Sequence, residues 1–353
     1  MIGIHSGRGA ILAVDVGTGT QDILLYDPAR VAENNLKLVL PSQTQILARQ
    51  ISKIDCDLLI TGTTMGGGPV SMAIRRHLKK GFRVVMTEAA AKTVRDDLSQ
   101  VREEGVEIVT DSEAANLDMA SIEAMDVDLE MLFGVISSAG EEMPETIGVA
   151  VQDHGFERDK SDRKFRFEKI AEMLDSGATL SDFLFEKPPA YYTRMNSVFQ
   201  HVQKSFSGEV FVIDSKFAAI SGALHDTPAR PCLCVDVGNG HTMAAVVGNG
   251  GRLDSVFEHH THSLTMEKLT KYLVRLANGN VTNEEVYSDH GHGCHIKNAP
   301  GIGGIEKILV TGPNRRLLEG CGLSIEFARP FGDVMMTGTV GIIDLINNYS
   351  QSS

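Results

Sequence analysis

The sequence predicts an α/β protein built from one βββαβαβα unit used twice. Three observations point to it. A D-V-G-x-G core sits between apolar runs at residues 15–19 and recurs at 236–240. The segments downstream of each core follow in a common order. The 35 glycines lie outside any low-complexity tract, so they belong in turns and at close backbone approaches.

Residues 11–26 (ILAVDVGTGTQDILLY) and 233–247 (LCVDVGNGHTMAAVV) each read as a strand, a tight glycine turn and a returning strand. A third strand follows each hairpin, at 36–41 (LKLVLP) and 253–260 (LDSVFEHH), and then a helix at 45–54 and 265–277. Residues 57–69 (DLLITGTTMGGGP) match 307–318 (KILVTGPNRRLL), each a short buried strand ending in Thr-Gly. Residues 210–224 match 325–343 as a strand entering a helix of small residues. The first half is the longer. Its residues 71–145 carry helix and strand signals and an acidic stretch from 103, and are expected to form an α/β insertion. PARP at 228–231 marks the boundary, giving domains 1–230 and 231–353, the second with a His-rich insertion at about 259–305.

At 353 residues, 42% hydrophobic and 22% charged, the chain is long enough for two cores. Its net charge of -13 gives no basic footprint for nucleic acid. No apolar run approaches the roughly 20 residues of a membrane helix. Residues 1–10 carry neither the charged nor the apolar stretch of a secretory leader. Five cysteines without framework spacing fit a reducing cytoplasm, which is the expected location.

A strand–turn–strand of this kind gathers backbone N–H groups into a concavity that favours phosphate, and glycine lets the anion come close. The aspartate ending each first strand is repelled by phosphate and suits a hydrated Mg²⁺. Asp15 and Asp236 are therefore the metal-facing candidates, with hairpin capping as the plain alternative. Two such turns face to face would clamp a nucleoside triphosphate.

With these motifs in order, the chain resembles the actin / sugar kinase / heat-shock chaperone ATPase superfamily. Gly17, Thr18, Gly19 and Thr20 look like its first phosphate motif, and Gly238, Asn239, Gly240, His241 and Thr242 like its second. Gly312, Pro313 and Asn314 look like its adenosine motif, although the usual paired glycine is a proline here. Residues 216–224 and 332–343 are similar to its connecting helices. The resemblance implies two RNase H-like domains closing on ATP and Mg²⁺ in the cleft between them. More narrowly, the chain looks like a prokaryotic family labelled "putative pyruvate formate-lyase activating enzyme". True activases of that name need a C-x3-C-x2-C cluster motif, and none of Cys56, Cys232, Cys234, Cys294 and Cys321 has that spacing.

Other residues suggest chemistry directly. Gln152, Asp153 and His154 end an apolar strand, and Asp153 is the candidate general base, against a turn or capping role. Residues 63–68 (TTMGGG) open a helix that could bind a second anion or simply permit close packing. Six of the 12 histidines fall between 259 and 295. His260 and His262 are expected on one strand face, and His290, His292, Cys294 and His295 share a loop rich in metal-ligand types. A transition-metal site, a polar active-site wall and a plain surface loop all accommodate them. Cys232 and Cys234 share a strand face and read as core.

Three functions follow. One is an ATP-dependent phosphotransferase or activating enzyme acting on an unidentified small molecule. The second is an ATPase switch that remodels a partner enzyme, and the third a non-catalytic nucleotide sensor. An enzyme calls for a deep cleft lined by polar groups of the insertion. A switch calls for an exposed apolar patch there.

Overall fold

A computed structural model describes residues 9–349; residues 1–8, on which the expectation about a leader mainly rests, lie outside the described residues. The chain opens with β1 (Ile11–Val16), β2 (Thr20–Tyr26), β3 (Leu36–Pro41) and α1 (Gln43–Lys53). Four strands follow, β4 (Leu58–Gly62), β5 (Val84–Thr87), β6 (Glu107–Val109) and β7 (Ala120–Ala124). Helices α2 (Gly68–Lys79), α3 (Glu88–Ala91), α4 (Leu98–Glu103) and α5 (Asp111–Ala114) alternate with them, and α6 (Leu129–Ser138) comes after. Next are β8 (Thr146–Val151), α7 (Asp162–Ser176), β9 (Leu184–Phe185), α8 (Thr193–Ser205), β10 (Glu209–Ile213) and α9 (Ser215–Ala223). Beyond them lie β11 (Cys232–Val237), β12 (His241–Val247), β13 (Leu253–His260), α10 (Met266–Ala277) and α11 (Asn283–Ser288). The last elements are β14 (Gly293–Ile296), β15 (Lys307–Thr311), β16 (Ile325–Phe327) and α12 (Thr337–Tyr349). None of these helices is long and apolar enough to cross a membrane.

Two six-stranded sheets run β3-β2-β1-β8-β10-β9 and β14-β13-β12-β11-β15-β16, and a four-stranded parallel sheet runs β6-β5-β4-β7. In each six-stranded sheet the central strand pairs antiparallel with its hairpin partner on one side and parallel with a later strand on the other. That position explains the unbroken apolar runs of β1 and β11, because a strand covered on both faces has no solvent side to alternate toward. Edge strand β3 is half exposed: its Val39 faces outward, and Lys37 Nζ donates to Phe331 O at 3.0 Å.

The pairing corrects one expected correspondence. Strand β4, matched in the sequence with β15, belongs to the separate four-stranded sheet. The true counterpart of β15 is β8: Ile11 lies opposite Thr146 as Cys232 lies opposite Lys307. Both β4 and β8 are short apolar strands ending at polar residues, and local pattern does not say which sheet a strand joins. The four-stranded sheet also begins at Leu58, ahead of the expected 71.

The largest core joins the two six-stranded sheets through α9 and α12, drawing on Ile11, Phe211, Phe217, Ile220, Cys234, Val256, Val340 and Ile346. Cys232 and Cys234 are buried in it, as their alternation suggests. Every residue of α9 except Ser215 is buried, the mark of a helix covered all round. Its approach to α12 is set by two glycines. A Cβ on Gly222 would lie 1.8 Å from Thr337 O, and one on Gly341 would lie 1.9 Å from Ala218 O. Gly341→Ala therefore forces the helices apart and is expected to cost about 1–3 kcal/mol in urea unfolding. Gly134→Ala, on exposed α6 with open space around it, should instead stabilise by about 0.5–1 kcal/mol. Equal effects at the two positions would contradict the crossing as the constraint.

Candidate functional site

A cleft of about 1120 Å³ is lined by both glycine turns, the segment after β8, the starts of α9 and α12, and residues 92–97 beside the four-stranded sheet. The turns have the same construction. Gly17 N donates to Thr20 O at 2.9 Å, and Gly238 N donates to His241 O at 3.1 Å. The next two amides of each turn, at Thr18 and Gly19 and at Asn239 and Gly240, have no partner among the described residues. The tips meet: a Cβ on Gly19 would be 2.8 Å from Asn239 Nδ2, and one on Gly240 would be 3.3 Å from Thr18 Oγ1. Behind them, Thr242 Oγ1 lies 3.0 Å from Thr261 Oγ1, which donates to Gly238 O at 2.8 Å.

The two aspartates sit in unlike surroundings. Asp236 is 6% exposed and accepts from Lys216 Nζ at 2.6 Å; the same ammonium donates to His241 O at 2.9 Å. Asp15 accepts only a hydroxyl, Ser215 Oγ at 2.7 Å, and burial pushes its carboxyl up to about 7. Directly across the hairpin from Asp15 stands Asp22. Its Oδ1 is buried without a partner, and burial, with Asp15 beside it, raises it to about 8. Like charges directly opposite are unfavourable, so this carboxylate pair, with an orphaned oxygen, fits a divalent cation such as Mg²⁺. Asp22 was not anticipated from the sequence, although its register opposite Asp15 follows once the hairpin is drawn. Lys216, read from the sequence only as part of a helix, was likewise missed.

The adenosine-motif candidates are near the second turn. Gly312 has φ +92, and a Cβ there would be 2.5 Å from Asp236 Oδ1. Asn314 braces the turn, its Nδ2 donating to Gly238 O at 3.0 Å. Gly312 and Pro313 line the cleft. In the glycine loop at 63–68, Thr64 N donates to Ser197 Oγ, Met65 N to Thr93 Oγ1 and Gly66 N to Asp126 Oδ1, while the amides of Gly67 and Gly68 have no partner among the described residues and the loop lines the cleft. A Cβ on Gly67 would fall 2.1 Å from Thr93 O, so the glycine there permits close packing.

The segment after β8 is pinned on every side. Arg194 donates from Nε and Nη2 to both oxygens of Asp126 and from Nη1 to Gln152 O at 2.9 Å. Arg166 donates to Asp153 O at 2.7 Å, to Asp214 at 2.7 and 3.2 Å, and to Glu258 Oε2 at 2.7 Å. Asp153 itself accepts from Gly155 N at 2.8 Å and Met195 N at 2.9 Å. Burial pushes it up to about 6. Both oxygens of the expected base are thus occupied by backbone, the turn-and-capping arrangement. Its neighbours carry the free chemistry. Gln152 Nε2 donates to Glu258 Oε1 at 2.6 Å, and Gln152 Oε1 is 2.5 Å from His241 Nδ1.

Histidines gather here, though not the set expected. His154 Nε2 lies 3.1 Å from His292 Nε2. The ring of His241 is 4.5 Å from that of His292, and His260 is 4.8 Å from His241. Burial holds His154 down at about 3 and drives His241 and His292 lower still, so all three are neutral. The other candidates are dispersed. Strand β13 ends at His260, and a single turn carries His262 into solvent. His290 is exposed with φ +66, ending α11. Cys294 packs into the core beneath α10, where burial pushes its thiol up to about 12. His295 Nε2 pairs with Asp175 at 2.8 Å. Of the six expected residues, His260 and His292 meet, with rings 4.7 Å apart, whereas Cys294 and His295 part because alternate residues of β14 face opposite sides.

The buried charges make a prediction. Arg166, at 3% exposure, faces Asp214 and Glu258 at 4% and 0%. Arg166→Met leaves both carboxylates buried without their cation, and should cost about 3–5 kcal/mol in urea unfolding. Arg316→Met, at an exposed pair, should stay within about 0.5 kcal/mol.

No curated protein matches the chain by sequence. Among solved structures, similarity extends over 98% of this chain and 100% of the Lmo2764 protein, a putative N-acetylmannosamine kinase from Listeria monocytogenes, at 10% identity and TM-score 0.38. The apo ParM protein of pSK41 is similar over 98% of each chain, at 12% identity and TM-score 0.34. The activator of 2-hydroxyisocaproyl-CoA dehydratase from Clostridium difficile, with bound ADPNP, is similar over 97% of each chain, at 10% identity and TM-score 0.29. Likenesses this distant transfer no activity. Residues 65–317 match the model of the family described as "Putative pyruvate format-lyase activating enzyme (DUF1786)", and the chain belongs to that family.

Proposed function

We propose that the chain is a Mg-ATP-binding protein of the actin fold, two duplicated RNase H-like halves around one nucleotide cleft, acting as an ATP-dependent phosphotransferase or activating enzyme on a small molecule. The observation that carries this reading is the pair of glycine turns meeting tip to tip with four unpartnered amides. A concavity of free N–H groups from two facing turns is a receptor for a polyphosphate. Asp15 and Asp22 would hold Mg²⁺, with Asp236 held back by Lys216. When bound, Mg-ATP supplies the transferable phosphoryl group. The chain's own residues orient it: Thr18, Gly19, Asn239 and Gly240 donate amides, and Lys216 sits beside Gly238.

The family label is not the chemistry we propose. Cys56 is exposed, Cys321 half-buried, Cys232 and Cys234 buried together on β11 and Cys294 buried on β14 in a different core, so the five are not gathered into a cluster ligand set. The enzyme reading is favoured over a partner-remodelling switch by the polar residues 92–97 and Arg194 lining the cleft. On the expected insertion at 71–145, Met72, Leu117 and Met143 are the large apolar side chains that are exposed, on separate segments and too little for a docking patch.

The test is a thermal-shift and turnover panel. Mg-ATP at about 100 times its Kd should stabilise the protein by about 2.7 kcal/mol. Asp15→Asn and Gly19→Val should remove that gain while far-UV circular dichroism stays unchanged. Equal stabilisation of both variants and the parent sinks the nucleotide reading. Turnover that requires a second protein, with no small-molecule acceptor found, would favour the switch.

A further inference from the structure

The His154–His241–His292 cluster lies outside the phosphate turns, and nothing in the nucleotide reading uses it. The three come from different segments: the loop after β8, the first residue of β12 and the residue before β14. Their candidate ligand atoms all lie within 4.8 Å of one another. A tetrahedral ion with metal–nitrogen bonds of about 2.0–2.1 Å sets its ligands about 3.3 Å apart. The His154–His292 pair already has that separation, at 3.1 Å.

Hydrogen bonding within the protein accounts for only part of the arrangement, since one Nε2 of the His154–His292 pair can donate to the other. His292 is 2% exposed, and its Nδ1 is buried with no partner. For His241 the tautomer follows from its neighbours. Glu258 is ion-paired with Arg166 and can only accept. Gln152 must therefore turn its NH₂ toward Glu258 and its oxygen toward His241. His241 Nδ1 then carries the proton, and Nε2 presents a lone pair. A metal-binding histidine is oriented in this way, its second nitrogen donating to an amide or carboxylate oxygen.

We propose that His154, His241 and His292 form a binding site for a divalent transition metal, Zn²⁺ being the best match to three neutral imidazoles. His154 and His241 line the cleft, with His260 beside them. The fourth position opens toward the cleft next to the second glycine turn, so the ion keeps a place for water or for an oxygen of a bound oxyanion. Three protein ligands and one open position are the pattern of a catalytic rather than a structural zinc. The proposal is independent of nucleotide binding.

The experiment uses the full chain, stripped with chelator and titrated with Zn²⁺ or Co²⁺ alone. One equivalent should bind per chain, and Co²⁺ should give the visible d–d absorption of a four- or five-coordinate site. His154→Ala and His241→Ala should weaken Zn²⁺ binding by more than about 100-fold, and Gln152→Ala by about 10–100-fold. His262→Ala and His295→Ala should bind as the parent does. Melting curves of the stripped proteins separate lost ligands from lost fold, and the variants at His154 and His241, both half-buried, decide the question if His292→Ala does not fold. Substoichiometric binding without a Co²⁺ spectrum overturns the proposal. So does parent-like binding by His154→Ala and His241→Ala.

Discussion

The guanidinium of Arg166 is the interaction on which the centre of this molecule depends. It is buried against Asp214 at the start of α9, Glu258 in β13 and the carbonyl of Asp153. Taking three charges from water is expensive, and the cost is recovered only if every donor and acceptor is matched. The planar fork of arginine has directions for all of them, whereas an ammonium would satisfy fewer. Helix α7, which carries it, is thereby locked to both six-stranded sheets at once. The net charge of the trio is negative, and the nearby Lys216, facing Asp236, keeps the surrounding field from becoming more so.

From that lock the rest of the site follows. Glu258, once held by Arg166, dictates which way Gln152 turns, and Gln152 dictates the tautomer of His241. Arg194 fixes the Gln152 carbonyl from the opposite side while reading Asp126 with two parallel bonds. Thus the strand end at residues 152–154 is rigid, although it has no regular structure. Residue 241 belongs to both the second glycine turn and the histidine cluster. Its carbonyl closes the glycine turn by accepting from Gly238 N, and its imidazole belongs to the histidine cluster. The unpartnered amides of the glycine turn and the buried imidazoles therefore stand one residue apart, and burial keeps the imidazoles neutral.

What could be read from the sequence was whatever is local. A glycine turn between apolar runs encodes a hairpin within about ten residues, and both hairpins stand where the pattern puts them. The crossing of α9 and α12 was legible for the same reason, as small residues in a helix declare a close neighbour. Strand β8 was not legible as the partner of β1, because about 130 residues and another sheet intervene and its apolar pattern equals that of β4. The histidines show the limit most clearly. Density along the chain pointed to 290, 294 and 295, yet Cys294 turns into the core and His295 toward Asp175. The ring that meets His292 at 3.1 Å is His154, from the other half of the sequence. Sequence neighbours on a strand are divided by the pleat, and proximity across sheets leaves no periodic trace.

The helix crossing and the acidic floor of the cleft are mechanically one object. Helix α12 carries Gly341 at the crossing and Gly338 one turn earlier, where a Cβ would lie 1.9 Å from Asp15 Oδ2. Gly312 presses on Asp236 in the same way from the loop after β15. Each aspartate is thus roofed by a glycine belonging to the second half of the chain. Asp15 gains the partial positive charge of the α12 N-terminus as well as the Ser215 hydroxyl, while burial works against its ionised form. Gly338 lies between Thr337 and Gly341, which both take part in the crossing with α9, so Asp15 is roofed by the crossing itself. The burial that raises the Asp15 carboxyl therefore depends on the same close backbone contacts that make the crossing, which no larger side chain could make.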